Sequence, residues 1–272
     1  MSNNQTKREP DEMCGRFTLI AEMDYIAELF EVVGAMNISD DYSLPAVQMP
    51  ARFNIAPSQP VLIIKNQIDV VQKLKNTANM QLAQWGFIAD WMKQPPRSLI
   101  INARSETALV KPMFRGAIEQ NRCIIPASGW YEWKTIRGVK QPFYMSRDMS
   151  KTNNSLLAFA GVHSRFMAAD GSEIDTIAIM TKPAVGMLKQ VHGRMPCLLP
   201  QDNFKHWLDG WNVRGRNALE LIDDAEVENL KIHAVTRDVG NSRIDRDYFI
   251  DEIELEETVI KKPEPKAQLS LF

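Results

Sequence analysis

The stretch RCIIPASGWYEWK, Arg122 to Lys134, decides how this 272-residue chain is read. Two short apolar runs, RCIIP and WYEWK, stand on either side of Ser128 and Gly129, the punctuation expected between successive β-strands. Within the second run a period of two puts Trp130 and Glu132 on one face and Tyr131 and Trp133 on the other. A carboxylate flanked by three aromatic residues is partly desolvated, which favours its protonated form and raises its pKa. Such a glutamic acid is useful as a general acid or base near neutral pH. A surface glutamate on an edge strand would show the same alternation, so the run alone does not choose between them.

Outward from this stretch the same signals repeat. VLIIK, MQLAQW, SLIIN, PFYMS, LLAFAGV, DTIAIM and KIHAV read as further short strands, punctuated by Gly, Pro and Asn. Helical spacing is rarer. AEMDYIAELFEVVG carries Ile26, Phe30 and Val33 at helical intervals and stops at Gly34. ETALVKPMFRGAIEQ, PAVGMLKQV and DNFKHWLDG are the other helical patterns, and MNISDDYSLPAVQMPAR reads as a long loop. The expectation is a single α+β domain over residues 13–255, a mixed or antiparallel sheet with peripheral helices. Residues 1–12 form a polar extension without core-forming side chains, and 256–272 a flexible tail.

Composition narrows the class. Hydrophobic residues make up 44% and charged residues 24%, as in an ordinary soluble globular protein. No apolar run approaches the roughly 20 residues of a membrane span, and the N-terminus lacks the apolar region of a secretory signal. Cys14, Cys123 and Cys197 do not suggest a disulfide framework, which points to a reducing, cytoplasmic setting. Without CxxC spacing, and with histidines far apart, no metal or other cofactor is expected. The net charge of −2 hides an asymmetry: residues 13–216 hold 23 Lys and Arg against 17 Asp and Glu, residues 217–272 hold 7 against 14. A basic body with an acidic end is a weak pointer to nucleic acid.

Several polar residues fall where a purely structural reading would not put them. Asn102 and Arg104 in INARSET share a strand face just past an apolar run, where strands often present ligands. Arginine offers a planar fork for phosphate and asparagine a neutral donor and acceptor. In VHGRMPCLLP, His192 and Arg194 flank a glycine that lets backbone approach a ligand, an arrangement suited to proton transfer beside an anion. A salt bridge with a turn residue, or a structural histidine, fits these patterns too. His163, His206 and His233 look like ordinary strand and helix residues, and Cys123 and Cys197 like inert core thiols. In DEMCGRFTLI, Cys14 follows a methionine that could itself be a start.

These stretches together resemble one family. MCGRF, RFNIAPSQ, WGFIADW, INARSET with KPMFR, RCIIPASGWYEW and HGRMPCLL are similar, in order and spacing, to the SRAP (SOS-response-associated peptidase) family, from Met13 to about Arg243. The resemblance implies an α+β domain around a β-barrel-like core with a positively charged groove for single-stranded DNA. It also implies a covalent chemistry in which an N-terminal cysteine captures the aldehyde of an abasic site. Cys14 matches the family's cysteine, Asn102 and Arg104 its NAR motif, Glu132 its YEW glutamate and His192 the histidine before RMP. Arg16, Pro57, Trp85, Arg104 and Arg194 fall where the family contacts DNA, with Trp85 the expected stacking platform. The family's cysteine normally follows the initiator methionine, whereas here twelve residues precede Met13.

Only a cysteine carrying its own free α-amine offers amine and thiol within one residue, so Met13 is either the true start or removed by autoproteolysis. Three activities remain open: an abasic-site crosslinker, a cysteine-type peptidase using Cys14, and a non-covalent module for single-stranded DNA. Finally, the pentapeptide QLSLF resembles the short motif by which bacterial replication and repair proteins dock on the sliding clamp. Gln268 would bond at the pocket rim while Leu269, Leu271 and Phe272 fill an apolar groove. The chain is expected to act as a monomer.

Overall fold

A computed structural model describes residues 14–31, 49–68 and 76–255. Strands form where β-branched and aromatic residues cluster, and they assemble into two sheets. The larger contains β3 (Pro60–Ile68), β4 (Asn76–Trp85), β5 (Asn102–Arg104), β6 (Arg122–Ala127), β9 (Leu157–Met167), β10 (Glu173–Pro183) and β11 (Arg194–Pro196). Its order is β11-β10-β4-β3-β6-β9, and β9 pairs back onto β10, so five strands close into a barrel. All barrel pairings are antiparallel except β10 with β4, which makes the barrel mixed. The fold is α+β, as the run of short strands implied, around a closed barrel, as the family resemblance implied.

Alternate residues from these strands fill the interior. Val61, Ile63, Trp85, Ile125, Phe159, Ile177 and Ile179 are buried to within 1% of full exclusion from water. The smaller sheet, in order β12-β8-β7-β1-β2, comprises β1 (Phe17–Leu19), β2 (Arg52–Ile55), β7 (Gly129–Ile136), β8 (Val139–Arg147) and β12 (Leu230–Ala234). Its two faces do different things. Phe17, Trp130 and Met145 join the main core, whereas Tyr131 and Tyr144 build a second core with Val235, Val239 and Phe249. The period-two reading of the Trp130–Trp133 run therefore holds for Trp130 and Tyr131. Phe17 ties the sheets together edge-on, with ring centroids 5.3 Å from Trp85 and 6.0 Å from Phe159.

Local chemistry explains the tight turns. Strands β7 and β8 are joined by Arg137 and Gly138, both with positive φ (51° and 79°), the backbone twist that two-residue hairpins need. At Gly129 a Cβ would lie 2.4 Å from the Tyr144 ring and 2.5 Å from the Met145 carbonyl, so only glycine lets the strands approach here.

Arg122 holds the helices to the barrel. Its guanidinium is buried and donates to five main-chain carbonyls: Ile118, Glu119, Trp207, Asp209 and Val213, at 2.6–3.1 Å. Those carbonyls end helices α3 (Pro112–Gln120) and α4 (Phe204–Leu208) or follow them, so one cation satisfies groups that helix termini leave open. Burial lowers its pKa to about 10, still well above neutrality.

The helices differ from the sequence reading in detail. ETALVKPMFRGAIEQ splits into α2 (Ser105–Ala108) and α3, because Pro112 disfavours helical backbone at Lys111 and starts a new helix. The first pattern yields α1 (Met23–Leu29), which buries Ile26 with Phe30 just after it, while Val33 and Gly34 lie outside the described residues. A fifth helix, α5 (Gly215–Leu219), had no clear sequence signal. SLIIN contributes only its last residue to a strand, and Leu99 in it is 54% exposed. Residues 1–13 and 256–272, which hold the polar extension and the QLSLF tail, also lie outside the described residues.

Replacing Arg122 with Met should take the donor from five buried or partly buried carbonyls, at roughly 1–3 kcal/mol for each that stays buried and finds no new partner. We expect the urea midpoint of Arg122→Met to fall by at least about 3 kcal/mol equivalent with an unchanged m-value. Arg122→Lys should recover little, because an ammonium lacks the planar fork. A midpoint equal to wild type for Arg122→Met would show the carbonyls to be satisfied otherwise.

Candidate active site

Strand β10 places the site. Beyond the barrel its C-terminal end pairs with β5 on one side, Ile179 opposite Asn102 and Thr181 opposite Arg104. On the other side it pairs with β11, Thr181 opposite Pro196 and Pro183 opposite Arg194. The NAR and RMP motifs, far apart in sequence, thereby flank the same end of β10 and meet across Thr181. The second sheet supplies the remainder. Tyr131 N–H donates to the Arg16 carbonyl at 3.0 Å, which extends the β1–β7 ladder and carries Cys14 alongside Glu132.

The Cys14 main-chain N–H donates to Glu132 Oε1 at 3.0 Å, and both residues are buried, at 3% and 2% exposure. The other carboxylate oxygen, Oε2, lies 3.7 Å from His192 Nδ1. His192 is seated by backbone: Arg194 N–H donates to the same Nδ1 at 3.1 Å. Burial raises the Glu132 pKa from 4.5 to about 7, and the neighbouring His192 and Cys14 temper that rise. Burial, reinforced by the Glu132 charge and by a hydrogen bond to it, pushes the Cys14 thiol well above its ordinary value. The expectation of a Glu132 carboxyl tuned toward neutrality is met, with burial as the largest cause.

A cavity of about 410 Å³ opens onto this cluster, lined by Gly15, Arg16, Pro57, Glu132, Trp133 and Lys140 among others. Arg16 is half-buried. Its Nη1 donates to Asn54 Oδ1 at 2.6 Å and to the Val239 carbonyl at 2.7 Å, and its guanidinium lies 5.9 Å from the Trp133 ring. Arg104 is exposed and Asn102 half-buried, at the head of β5.

Two expected DNA contacts are corrected. Trp85 is fully buried and its indole N–H donates to the Ile101 carbonyl at 2.9 Å, so neither face is open to a base. It is a barrel core residue. The other tryptophan of WGFIADW, Trp91, is 61% exposed. It rims a second cavity of about 320 Å³ against Pro112, Met113 and Arg115. Arg194 is not an open phosphate ligand either: its side chain is 9% exposed and its terminal nitrogens are committed to Glu106 and Thr181. The other two cysteines are buried; desolvation raises both, Cys197 to about 12, which fits core thiols. Among the described residues no group of three or more His, Cys, Asp or Glu side chains could hold a metal ion, and no helix is long and apolar enough to cross a membrane.

A family model described as SOS response associated peptidase (SRAP) matches residues 13–242. The chain belongs to the SRAP family. Abasic site processing protein YoqW of Bacillus subtilis is 32% identical over 234 residues, covering 85% of this chain and 96% of that protein. YedK of Escherichia coli, also called an abasic site processing protein, is 30% identical over 240 residues, covering 84% and 95%. The likeness reaches vertebrates: HMCES of Xenopus tropicalis is 29% identical over 215 residues, covering 70% of this chain and 63% of that one. A crystal structure of a protein from Bacteroides thetaiotaomicron shares the fold with a TM-score of 0.72 at 20% identity, covering 89% of this chain and 100% of the other. Of the SRAP motifs quoted above, MCGRF, RCIIPASGWYEW and HGRMPCLL are thus brought together at one buried carboxylate, Glu132.

That carboxylate has a measurable cost. A folded-state pKa near 7 against an ordinary 4.5 means the native chain holds a proton that the unfolded chain has lost between these values. Stability therefore falls as pH rises from about 4.5 to 7, by up to about 3 kcal/mol, and the full cost persists above 7. Glu132→Gln keeps an oxygen for the Cys14 N–H and removes the charge. Its stability relative to wild type should be near zero at pH 4.5 and climb to a plateau above pH 7, read by urea unfolding of the uncut chain. A flat difference across that window would contradict the buried, proton-holding carboxyl.

Proposed function

We propose that this protein forms a covalent crosslink with abasic sites in single-stranded DNA through Cys14 at its N-terminus, shielding the lesion. The observation that carries this reading is the Cys14 nitrogen held 3.0 Å from a buried carboxyl whose pKa is raised to about 7, at a cavity open to solvent. In the uncut chain that nitrogen is an amide and cannot attack. Once residue 13 is gone it becomes an α-amine of ordinary pKa about 7.7–8, neutral in part at pH 7.

The steps balance. The amine nitrogen adds to the aldehyde carbon of the opened abasic sugar, and its proton passes to the aldehyde oxygen to give a carbinolamine. Glu132 protonates that hydroxyl, water leaves, and a protonated imine forms beside the now ionised Glu132. The Cys14 sulfur then adds to the imine carbon while its proton passes to Glu132, closing a five-membered thiazolidine with net loss of one water. Glu132 moves protons in both halves, and His192, 3.7 Å from it, is placed to assist sugar-ring opening. Holding both nucleophiles on one residue makes the second step effectively intramolecular. Asn102 orients the amine, and Arg16, Arg104 and Pro57 border the strand.

Removal of residues 1–13, by self-cleavage or by initiation at Met13, is part of the proposal, and the intact mass of protein from the native host reports it. A protein with Cys14 as its first residue should form a denaturation-resistant adduct with single-stranded DNA carrying an abasic site. Cys14→Ala should lose the heat-stable adduct, Cys14→Ser should not restore it, and a chain retaining Met13 should form none. Equal adduct yield from Cys14→Ala would sink the mechanism, and a retained Met13 with full yield would move the nucleophile elsewhere.

The tail adds location. We propose that Gln268, Leu269, Leu271 and Phe272 bind the bacterial sliding clamp, bringing a cytoplasmic monomer to single-stranded DNA at the replication fork. Each large apolar side chain fully buried contributes roughly 1.5–3 kcal/mol before ordering costs, so a micromolar affinity is expected. Titrating the clamp with the full chain and with one ending at Ala267 tests this. Binding lost on truncation supports it, and identical behaviour of the two chains rejects it.

A further inference from the structure

Glu106 takes no part in the chemistry above, yet it is tied to its centre. It is the second residue of α2, two positions after Arg104, and its side chain is 43% exposed. Its Oε1 accepts from Arg194 Nη1 and its Oε2 from Arg194 Nη2 at 3.0 Å, a two-pronged pair, with Ser105 Oγ adding a bond to Oε2 at 3.3 Å. The hydrogen bond from Arg194, first among the causes, holds the Glu106 carboxyl below the usual range, so it is charged at neutral pH. Arg194 Nη2 also donates to the Thr181 carbonyl at 2.8 Å and to Thr181 Oγ1 at 3.2 Å. One guanidinium thus pins β11 to β10 and α2.

The backbone of that arginine is what seats His192. Arg194 N–H donates to His192 Nδ1 at 3.1 Å, and the Arg194 carbonyl lies 3.2 Å from the same nitrogen. That nitrogen is 3.7 Å from Glu132 Oε2, and Glu132 Oε1 holds the Cys14 nitrogen at 3.0 Å. A continuous chain of contacts therefore runs from Glu106 through Arg194 and His192 to Glu132 and Cys14. A half-exposed carboxylate beside a strand that must receive phosphates is unfavourable for DNA binding, so its presence calls for another reason. We propose that Glu106 is a positioning residue: by clamping Arg194 it fixes the backbone on which the His192 imidazole is held against Glu132. The inference rests on the crosslinking reading above.

The sign of the DNA effect separates this role from a contact role. In protein with Cys14 as its first residue, Glu106→Ala should slow single-turnover crosslinking at saturating DNA on the order of tenfold to hundredfold, the scale of a small misplacement of reacting groups. Affinity for abasic single-stranded DNA, measured by anisotropy on the non-reacting Cys14→Ala background, should stay equal or tighten. Glu106→Asp should recover part of the rate, and Glu106→Gln, which retains the shape of the side chain, should show the same pattern more weakly and serves if Glu106→Ala folds poorly. On a His192→Ala background the further change Glu106→Ala should cost little, because the two act through one chain of contacts. Fully additive losses, an unchanged rate, or a loss confined to DNA affinity would overturn the inference. If wild type forms no adduct the crosslinking reading itself fails, whereas equal rates for wild type and Glu106→Ala overturn only the role of Glu106.

Discussion

The backbone ladder of β10 is the constraint on which the other parts depend. Over its first seven residues it pairs with β9 and closes the barrel, which removes the exposed edges that an open sheet would leave. From Ile179, which it shares between β9 and β5, its last residues pair with β5 and then β11. One strand therefore serves as core at one end and as scaffold at the other. Because side chains alternate along a strand, a slip of one residue in β10 would turn Ile177 and Ile179 outward and misplace Asn102 and Arg104 together. Barrel stability and site geometry cannot be varied independently.

The second sheet meets this scaffold at Glu132. The two faces of β7 feed different cores, so Trp130 and Tyr131 fix the strand from both sides and leave the next residue no freedom to turn toward solvent. Glu132 is buried as a consequence of that double packing. Burying a carboxylate costs stability at neutral pH, and the fold tolerates the cost in a molecule where Arg122 satisfies five carbonyls with one cation. Local destabilisation of a single titratable group within an otherwise stable fold is how burial is converted into a useful pKa.

Much of this was legible in the sequence, for reasons that also explain what was not. The long strands announced themselves because β-branched runs and period-two alternation are local properties. Strands β1, β2 and β11 did not, since three or four residues carry no measurable period. WGFIADW holds two tryptophans with similar neighbours, and only the β4–β10 pairing decides that Trp85 points inward while Trp91 stands exposed. Arg194 reads as a phosphate ligand until its partner is known, and Glu106 lies 88 residues away in the chain. The Glu132 reading succeeded because both its burial and its consequence depend on immediate neighbours in the strand.

On the proposed reaction, the order of the two nucleophiles follows from the same burial. The Cys14 thiol is held protonated by desolvation and by the Glu132 charge, so it is a poor opening nucleophile at neutral pH. The α-amine, once freed, sits against this carboxyl, and the pair shares protons as one coupled unit. Proton exchange within that pair favours the amine as the first to attack and Glu132 as the acid that expels water. Once the protonated imine has formed, its electrophilic carbon is tethered beside the thiol. Sulfur then needs to lose its proton only as the bond to carbon forms, and the newly ionised Glu132 is the base nearest to take it. A site that kept the thiol ionised from the outset would gain nothing for ring closure and would expose a reactive thiolate. Burying the cysteine beside a carboxyl of near-neutral pKa sequences amine before thiol without any moving part.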